Sequence, residues 1–251
     1  MSLYEFPFNE GTRTMLRLEQ LFERLGALVA RDSAIDHHFA LQTLFEIVDV
    51  AARADLKSDL LKELERHRTR LEGFRDNPHI DMEPLLDALT RIERAYAPLQ
   101  ASPGKAGQSL MANEWLMAVR SRIAIPGGTC AFDLPAYHAW QQGPAAVRRA
   151  DLERWSATLA PMARALWVLL SLLRDGARAQ RVAAPGGVFQ QRLPEGRQYQ
   201  LLRLNLPDGD ERVPEISGHR LMVSVRLMRS DAEGRLKSAS EDASFDLALC
   251  A

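Results

Sequence analysis

The chain is expected to be an α+β protein, with a mostly helical domain packed on an antiparallel β-sheet domain. Through the first two-thirds, leucines and other apolar residues recur at helical spacing. After Gly176 the pattern changes to short alternating segments punctuated by glycine and proline. At the junction lies Ile125-Pro126-Gly127-Gly128-Thr129-Cys130-Ala131-Phe132-Asp133-Leu134-Pro135, whose paired glycines demand a tight, backbone-led bend. The expected helical domain covers residues 9–122, with helices of 135–176 packing on it. Residues 123–134 and 177–251 form the expected β-domain, and a strand over 3–8 joins it.

The elements follow in order. Asn9 is placed to cap a helix on which Leu18, Leu21, Phe22, Leu25, Leu28 and Val29 make one apolar face. Similar faces run through Phe39–Val50, Leu56–Phe74 and Leu85–Leu99. The break at Ala101-Ser102-Pro103-Gly104 precedes a helix over 109–122. Proline opens the next helix at Pro135, and two more follow over 144–158 and 161–174. Ile123–Ile125 and Thr129–Phe132 flank the Pro-Gly-Gly turn as candidate strands for the C-terminal sheet. Leu202, Leu204 and Leu206 alternate with Leu201, Arg203 and Asn205. Leu221, Val223, Val225 and Leu227 alternate with Arg220, Met222, Ser224 and Arg226. Each set describes a strand with one buried face. Phe245, Leu247 and Leu249 suggest a last strand, and the charged tract 229–242 reads as a long hairpin loop.

Composition narrows the function classes. The 251 residues are 46% hydrophobic and 26% charged, ordinary for a folded protein with a sizeable core. Thirty-two Lys plus Arg against 33 Asp plus Glu lack the basic excess of a general nucleic-acid binder. Two cysteines make no disulfide framework and point to a reducing compartment. No basic lead followed by an apolar core opens the chain, and the longest apolar run, 165–173, is too short to span a bilayer. A cytoplasmic protein without membrane insertion is expected.

Chemistry-bearing clusters are sparse. His37 and His38 point about 100° apart on a helix and do not converge on one metal. His67 and His79 lack ligand spacing, so all four read as solvated surface residues. Cys130, Asp133 and His138 lie within nine residues. Cys130 alternates with Phe132, however, and reads as a small buried residue rather than a nucleophile. No phosphate-binding or dinucleotide fingerprint is present. No catalytic, metal or cofactor constellation is expected.

Arginines form a clearer pattern. At 100° per residue, Arg13, Arg17, Arg24 and Arg31 fall within an arc of about 40°, opposite the apolar face of their helix. Such a stripe is ordinarily a solvated outer face. It also has the chemistry of a docking surface for an anionic peptide, because guanidinium pairs bidentately with carboxylate. Arg203 and Asn205 share the polar face of one strand, as Arg220 and Arg226 do on another; neighbouring strands would present these arginines together. Arg120 and Arg122 precede the Pro-Gly-Gly turn and His138 follows it. The mixed charges of Lys62–Arg70 describe an exposed amphipathic helix, with a dimer contact as the alternative.

Several blocks in one order carry a family resemblance. They are Glu5-Phe6-Pro7-Phe8-Asn9-Glu10, Arg13-Thr14-Met15-Leu16-Arg17-Leu18-Glu19 and Leu60-Leu61-Lys62-Glu63-Leu64. The junction segment, Leu201-Leu202-Arg203-Leu204-Asn205-Leu206 and Ile216-Ser217-Gly218-His219 complete the set. With them the chain resembles the ZapD family of bacterial cell-division proteins over essentially its whole length. The resemblance implies a homodimer that binds the C-terminal tail of the tubulin-like GTPase FtsZ. It implies cross-linking of FtsZ filaments at the mid-cell Z-ring, with no catalysis and no cofactor. The basic residues it assigns to tail binding are Arg13, Arg17, Arg120, Arg122, His138, Arg203 and Arg226, and the strand pattern adds Arg220. Met222 and Trp115 depart from it, standing where relatives carry basic residues. The rival readings are a small-molecule or nucleotide enzyme on an α+β scaffold, and an RNA-binding module. The first needs a convergent acid, base or metal cluster; the second needs exposed aromatics among basic residues on a sheet.

Overall fold

The computed structural model describes residues 2–52 and 56–251. It is α+β, and the chain divides into two compact units: Met1–Met15 with Leu170–Ala251, and Leu16–Leu169. Both divisions fall inside helices, the first in α1 (Glu10–Val29) and the second in α9 (Ala160–Asp175).

The Leu16–Leu169 unit is helical. Between α1 and α9 run α2 (Ala34–Ala52), α3 (Leu56–Glu72), α4 (Met82–Ala101), α5 (Gln108–Met111), α6 (Glu114–Ile123), α7 (Pro135–Gln142) and α8 (Ala145–Ala157). α2 buries Ala40, Leu41, Leu44, Phe45, Ile47, Val48 and Ala51, with His37 and Thr43 beside them. Its apolar residues do not form a single stripe, and it lies against both α6 and α8. α3 and α4 make a pair in which Leu56, Leu60 and Leu64 face the core. One turn beyond Leu64, Arg68 pairs with Glu65 at 2.7 Å and lies over the Tyr96 ring of α4, 5.9 Å from its centroid. The expected helix over 109–122 is broken in two: Asn113 leaves helical geometry and its side chain accepts from Leu116 N at 3.0 Å, capping α6.

Two adjacent arginines on α8 close the C-terminal end of α1. Arg149 donates from Nε to Val29 O at 3.2 Å and from Nη2 to Ala30 O and Arg31 O at 3.5 Å, and pairs with the Asp32 carboxylate. Arg148, almost fully buried, donates to Asp32 O at 2.7 Å, Gln141 O at 3.0 Å and Gly143 O. Its Nε donates to His37 Nδ1 at 3.0 Å, so His37 Nε2 carries the proton and donates to Arg31 O at 2.7 Å. α1 has no basic residue in its own last turn. α8 supplies the cations that its exposed carbonyls and dipole favour.

The expected strands at Ile123–Ile125 and Thr129–Phe132 are not formed, and 123–134 belongs to the helical unit rather than to the β-domain. α6 continues through Ile123. The turns after it consume their own donors: Ile125 N bonds Arg122 O, Gly128 N bonds Ile125 O, and Cys130 N bonds Gly127 O. Pro126 has no N–H at all, so little backbone remains for a sheet ladder.

The other unit is a two-sheet sandwich. β1 (Ser2–Pro7), β4 (Leu201–Leu206), β8 (Ala243–Cys250) and β2 (Gln180–Ala184) form one antiparallel sheet, in the order β1-β4-β8-β2. β3 (Val188–Arg192), β6 (Met222–Ser230) and β5 (Val213–His219) form the second, in the order β3-β6-β5. Asn9 accepts from Thr12 N at 2.8 Å and begins α1 directly after β1. Leu202, Leu204, Leu206, Phe245 and Leu247 from the first sheet meet Val223, Val225 and Leu227 from the second in one core. The chain crosses between sheets at Pro185-Gly186-Gly187, where Gly187 has φ +73° and a Cβ would lie 2.1 Å from Ala239 O. Two expectations fail here. Leu221 lies in the β5–β6 turn, 43% exposed, instead of on the buried face of a strand. The tract 229–242 is not all loop: β6 runs on to Ser230 and pairs with β7 (Leu236–Ser238) around a turn at Gly234, φ +77°.

Replacing Arg148 tests the arginine closure. Arg148→Met leaves three part-buried carbonyls and the buried His37 Nδ1 without this donor, with an expected loss of about 3–5 kcal/mol. Arg148→Lys recovers only a small part, because one ammonium does not span the fork of acceptors. Urea denaturation of both variants measures the loss.

Candidate functional site

Each sheet and helix end positions the candidate arginines differently. In the sandwich unit, Arg13 sits in the second turn of α1 with Glu10 at 3.3 Å. Arg203 on β4 faces Glu5 of its neighbour β1, Nε lying 3.2 Å from Glu5 Oε1. Arg174 grips the same carboxylate with two bonds of 2.9 and 2.6 Å. The Arg203 Nε–H is nonetheless not aimed at an acceptor, so the cluster holds two guanidiniums on one carboxylate and retains donor capacity.

Arg226 lies on β6 and pairs with Glu215 of β5 at 3.6 Å. β4 and β6 belong to different sheets, so the expectation of Arg203 and Arg226 side by side on neighbouring strands is corrected. Each sheet pairs by hairpin and crossover order, which alternation along a strand does not encode. Arg220 is not on a strand; it is exposed in the β5–β6 turn. Met222, in register with His219 and Arg192, is exposed beside it.

In the helical unit, Arg17 is exposed on α1. Arg24 pairs with Glu46 of α2, and Arg31 lies past the helix end, 3.4 Å from Asp36. The stripe is therefore partly engaged with its neighbours. Arg120 and Arg122, two residues apart, point to different places. Arg120 pairs with Asp49 on α2, whereas Arg122 reaches across the junction loop to Asp133 at 3.8 Å. His138 is exposed in the first turn of α7, its N–H on Leu134 O. Arg13, Arg120, Arg122, Arg203 and Arg226 each pair with a carboxylate of the chain itself.

Two histidine and cysteine expectations are corrected. His37 is fully buried, held by Arg148, instead of being solvated. Cys130 is exposed, and the buried thiol is Cys250. Cys130 and Phe132 do not alternate across a strand because their segment is a chain of turns.

α7 is fixed by aromatic packing. Tyr137, buried against Trp115, Trp140 and His38, bonds His38 Nδ1 through its hydroxyl at 2.7 Å. Gln141 Nε2 donates to the same hydroxyl at 3.1 Å, so the Tyr137 proton goes to His38 Nδ1. Burial pushes the Tyr137 hydroxyl far above its ordinary range and pulls the His38 imidazole below its own. Trp115, which departs from the basic residue expected by resemblance, stacks on Trp155 at 5.2 Å and is part of this packing.

Sequence reading missed an open groove of about 500 Å³ on the helical unit. Phe22, Leu25 and Val29 of α1 form one wall, and Ala160, Ala163 and Trp167 of α9 the other. Phe22 and Trp167 meet edge to face at 6.3 Å. Its rim carries Glu153 and Arg164, one charge of each sign, and so shows no preference for an acidic ligand. Trp167 inside the apolar run 165–173 was the available signal.

Among the described residues no group of three His, Cys, Asp or Glu converges as a metal site. Among the described residues no single helix is long and apolar enough to cross a membrane. Exposed guanidiniums distributed over turns, a strand and helix surfaces suit contact with a partner.

Comparison with known proteins defines the class, cell-division protein. The profile of the ZapD family, described as a cell division protein, matches residues 16–226. Proteins named cell division protein ZapD from Ralstonia pickettii (strain 12J) and Cupriavidus taiwanensis are 49% identical to it, and that of Ralstonia nicotianae 50%. Each alignment spans 251 residues, 100% of this chain and 99% of the relative. The chain belongs to the ZapD family and has a role in cell division.

His38 gives the helical unit a pH signature. Its folded-state pKa is lowered, so the unfolded chain takes up the proton first as pH falls. Stability is expected to decline as pH drops through the ordinary imidazole value of 6.5. His38→Gln keeps an acceptor for Tyr137 and should flatten that decline. Urea midpoints at pH 7, 6 and 5 compare the two.

Proposed function

We propose that this chain binds the C-terminal tail of FtsZ and, as a homodimer, cross-links FtsZ filaments at the mid-cell Z-ring, without a reaction of its own. The observation that carries this is ZapD-family membership over the full chain, joined to basic side chains exposed at Arg17, Arg122, His138, Arg220 and Arg226. A disordered tail bearing acidic and apolar residues docks by exchanging carboxylates. Where Arg122 and Arg226 hold internal partners at 3.8 and 3.6 Å in exposed positions, those pairs contribute little and give way readily. Arg203 and Arg120 are held more firmly and serve the surface through residual positive potential rather than as free hands.

Bridging follows from multiplicity. A dimer offers two tail sites and a filament offers many tails, so individually weak contacts combine into strong cross-linking. Both sites act away from membrane and nucleic acid, and the protein is placed in the cytoplasm by its partner.

Co-sedimentation with GTP-assembled FtsZ tests the function. The protein is expected to pellet with intact filaments and to stay in the supernatant with filaments lacking the tail. Arg17→Glu with Arg220→Glu should reduce pelleting several-fold without changing the melting temperature, as surface charges contribute little to stability. Raising salt from about 50 to about 300 mM should weaken wild-type pelleting, since the Debye length shrinks across that range. Equal pelleting with tailless filaments overturns the tail assignment.

A further inference from the structure

We propose that Arg174 is a positioning residue of the tail site: by taking both oxygens of Glu5 it keeps that carboxylate from neutralising Arg203, and the positive charge so retained attracts a carboxylate of the tail. The inference rests on the tail-binding function above.

Strand register alone favours the opposite outcome. Glu5 on β1 and Arg203 on β4 are directly opposed partners, a cross-strand acid and base that would ordinarily close on each other. On its other side Arg203 faces Ala248 of β8, and Asp246, two residues before it, pairs with Arg181 at 3.4 Å. Glu5 is thus the carboxylate within reach of Arg203. Arg174, in the last turn of α9, takes it instead. Its Nε donates to Glu5 Oε1 at 2.9 Å and its Nη2 to Oε2 at 2.6 Å, the two-point fork that suits guanidinium and carboxylate best. Arg203 Nε lies 3.2 Å from the same Oε1, yet its N–H is enclosed and meets no acceptor. All three side chains belong to one compact unit of the chain.

Two guanidiniums on one carboxylate leave the cluster with an excess of positive charge. The Glu5 side chain is 15% exposed and that of Arg203 29%, so water screens this charge less than on open surface while leaving Arg203 within reach of a ligand. Without Arg174, Glu5 and Arg203 become a neutral cross-strand pair. Without the Glu5 carboxylate, both guanidiniums stand uncompensated and the excess grows. Two substitutions in one cluster therefore act on an acidic ligand in opposite directions. A purely structural pair gives no such reversal, because breaking it from either end disturbs the same packing.

The full-length protein supports a direct test with a fluorescent synthetic peptide of the cognate FtsZ C-terminal tail, read by anisotropy at low salt. Arg174→Gln is expected to weaken peptide affinity about fivefold, the upper scale of one partly screened charge, and Glu5→Gln to strengthen it by about the same factor. When Arg174→Gln is combined with Glu5→Gln, affinity should return at least to the wild-type value, because the carboxylate that neutralises Arg203 is gone. Arg174→Lys keeps the charge without the fork and should fall between wild type and Arg174→Gln. Unchanged affinity in Arg174→Gln, or no recovery in the double variant, overturns the positioning role and leaves tail binding standing. Weakening in both single variants marks a structural pair and overturns it too. Should Arg174→Gln fail to fold by circular dichroism, Glu5→Gln decides: a gain in affinity supports the proposal and a loss overturns it. Absence of peptide binding by the wild-type protein would remove the tail function and the positioning role together.

Discussion

The helical unit depends on the end of one helix. α1 presents its last carbonyls to a turn of only a few residues before α2 begins, a place where backbone acceptors are costly to leave unmet. Nothing in α1 supplies donors there, since its last turn has no basic residue. Arg148 and Arg149, adjacent on α8, reach those carbonyls from a position more than a hundred residues away in the chain. The same Arg148 fork also holds Gln141 O and Gly143 O, the end of α7. One side chain thereby fixes two helix termini and the tautomer of His37 between them. Burying a cation without a carboxylate would ordinarily be unfavourable, but a fork that is fully matched by carbonyl and imidazole acceptors replaces most of its lost hydration.

That closure has a functional reach. α7 follows the junction loop directly, and His138 projects from its first turn. The carbonyls at the far end of α7 are gripped by Arg148, and its middle is held by Tyr137 against His38 and the tryptophans. The exposed loop is therefore carried by a helix fixed at more than one point. A loop on such a mount keeps its geometry, and pre-organisation of that kind limits the entropy lost in any association.

Much of this was legible in the sequence, and the exceptions share a cause. The class change at Gly176, the leading strand, the Asn9 cap and the core alternation of Leu202, Leu204 and Leu206 all rest on local periodicity or capping chemistry, and the structure bears these out. What failed needed information from elsewhere in the chain. Ile123–Ile125 and Thr129–Phe132 look like strands by composition, but Pro126 and the closing turns use up the backbone that a ladder requires. His37 looks like a surface histidine until Arg148 arrives from α8. Arg203 and Arg226 share strand polarity yet stand in different sheets, because strand order is fixed by crossovers such as Pro185-Gly186-Gly187. The arginine positions were visible as residues; which carboxylate each one meets was not.

Those internal carboxylates shape how the surface works. A guanidinium with no partner would bind any anion, including nucleic acid, through long-range potential alone. In this chain Arg13, Arg122 and Arg226 already have a weak partner at 3.3–3.8 Å, and positive and negative residues are nearly balanced overall. An incoming carboxylate must therefore displace an existing one, and the gain from that exchange is small. Discrimination then falls to whatever else the ligand brings. A peptide that pairs its acids with apolar side chains gains from both, whereas a polyanion with no apolar component gains only the exchange. Under the proposed function, low affinity per site with selectivity for an acidic and apolar tail would let each contact release readily while an array of tails on a filament holds the protein in place.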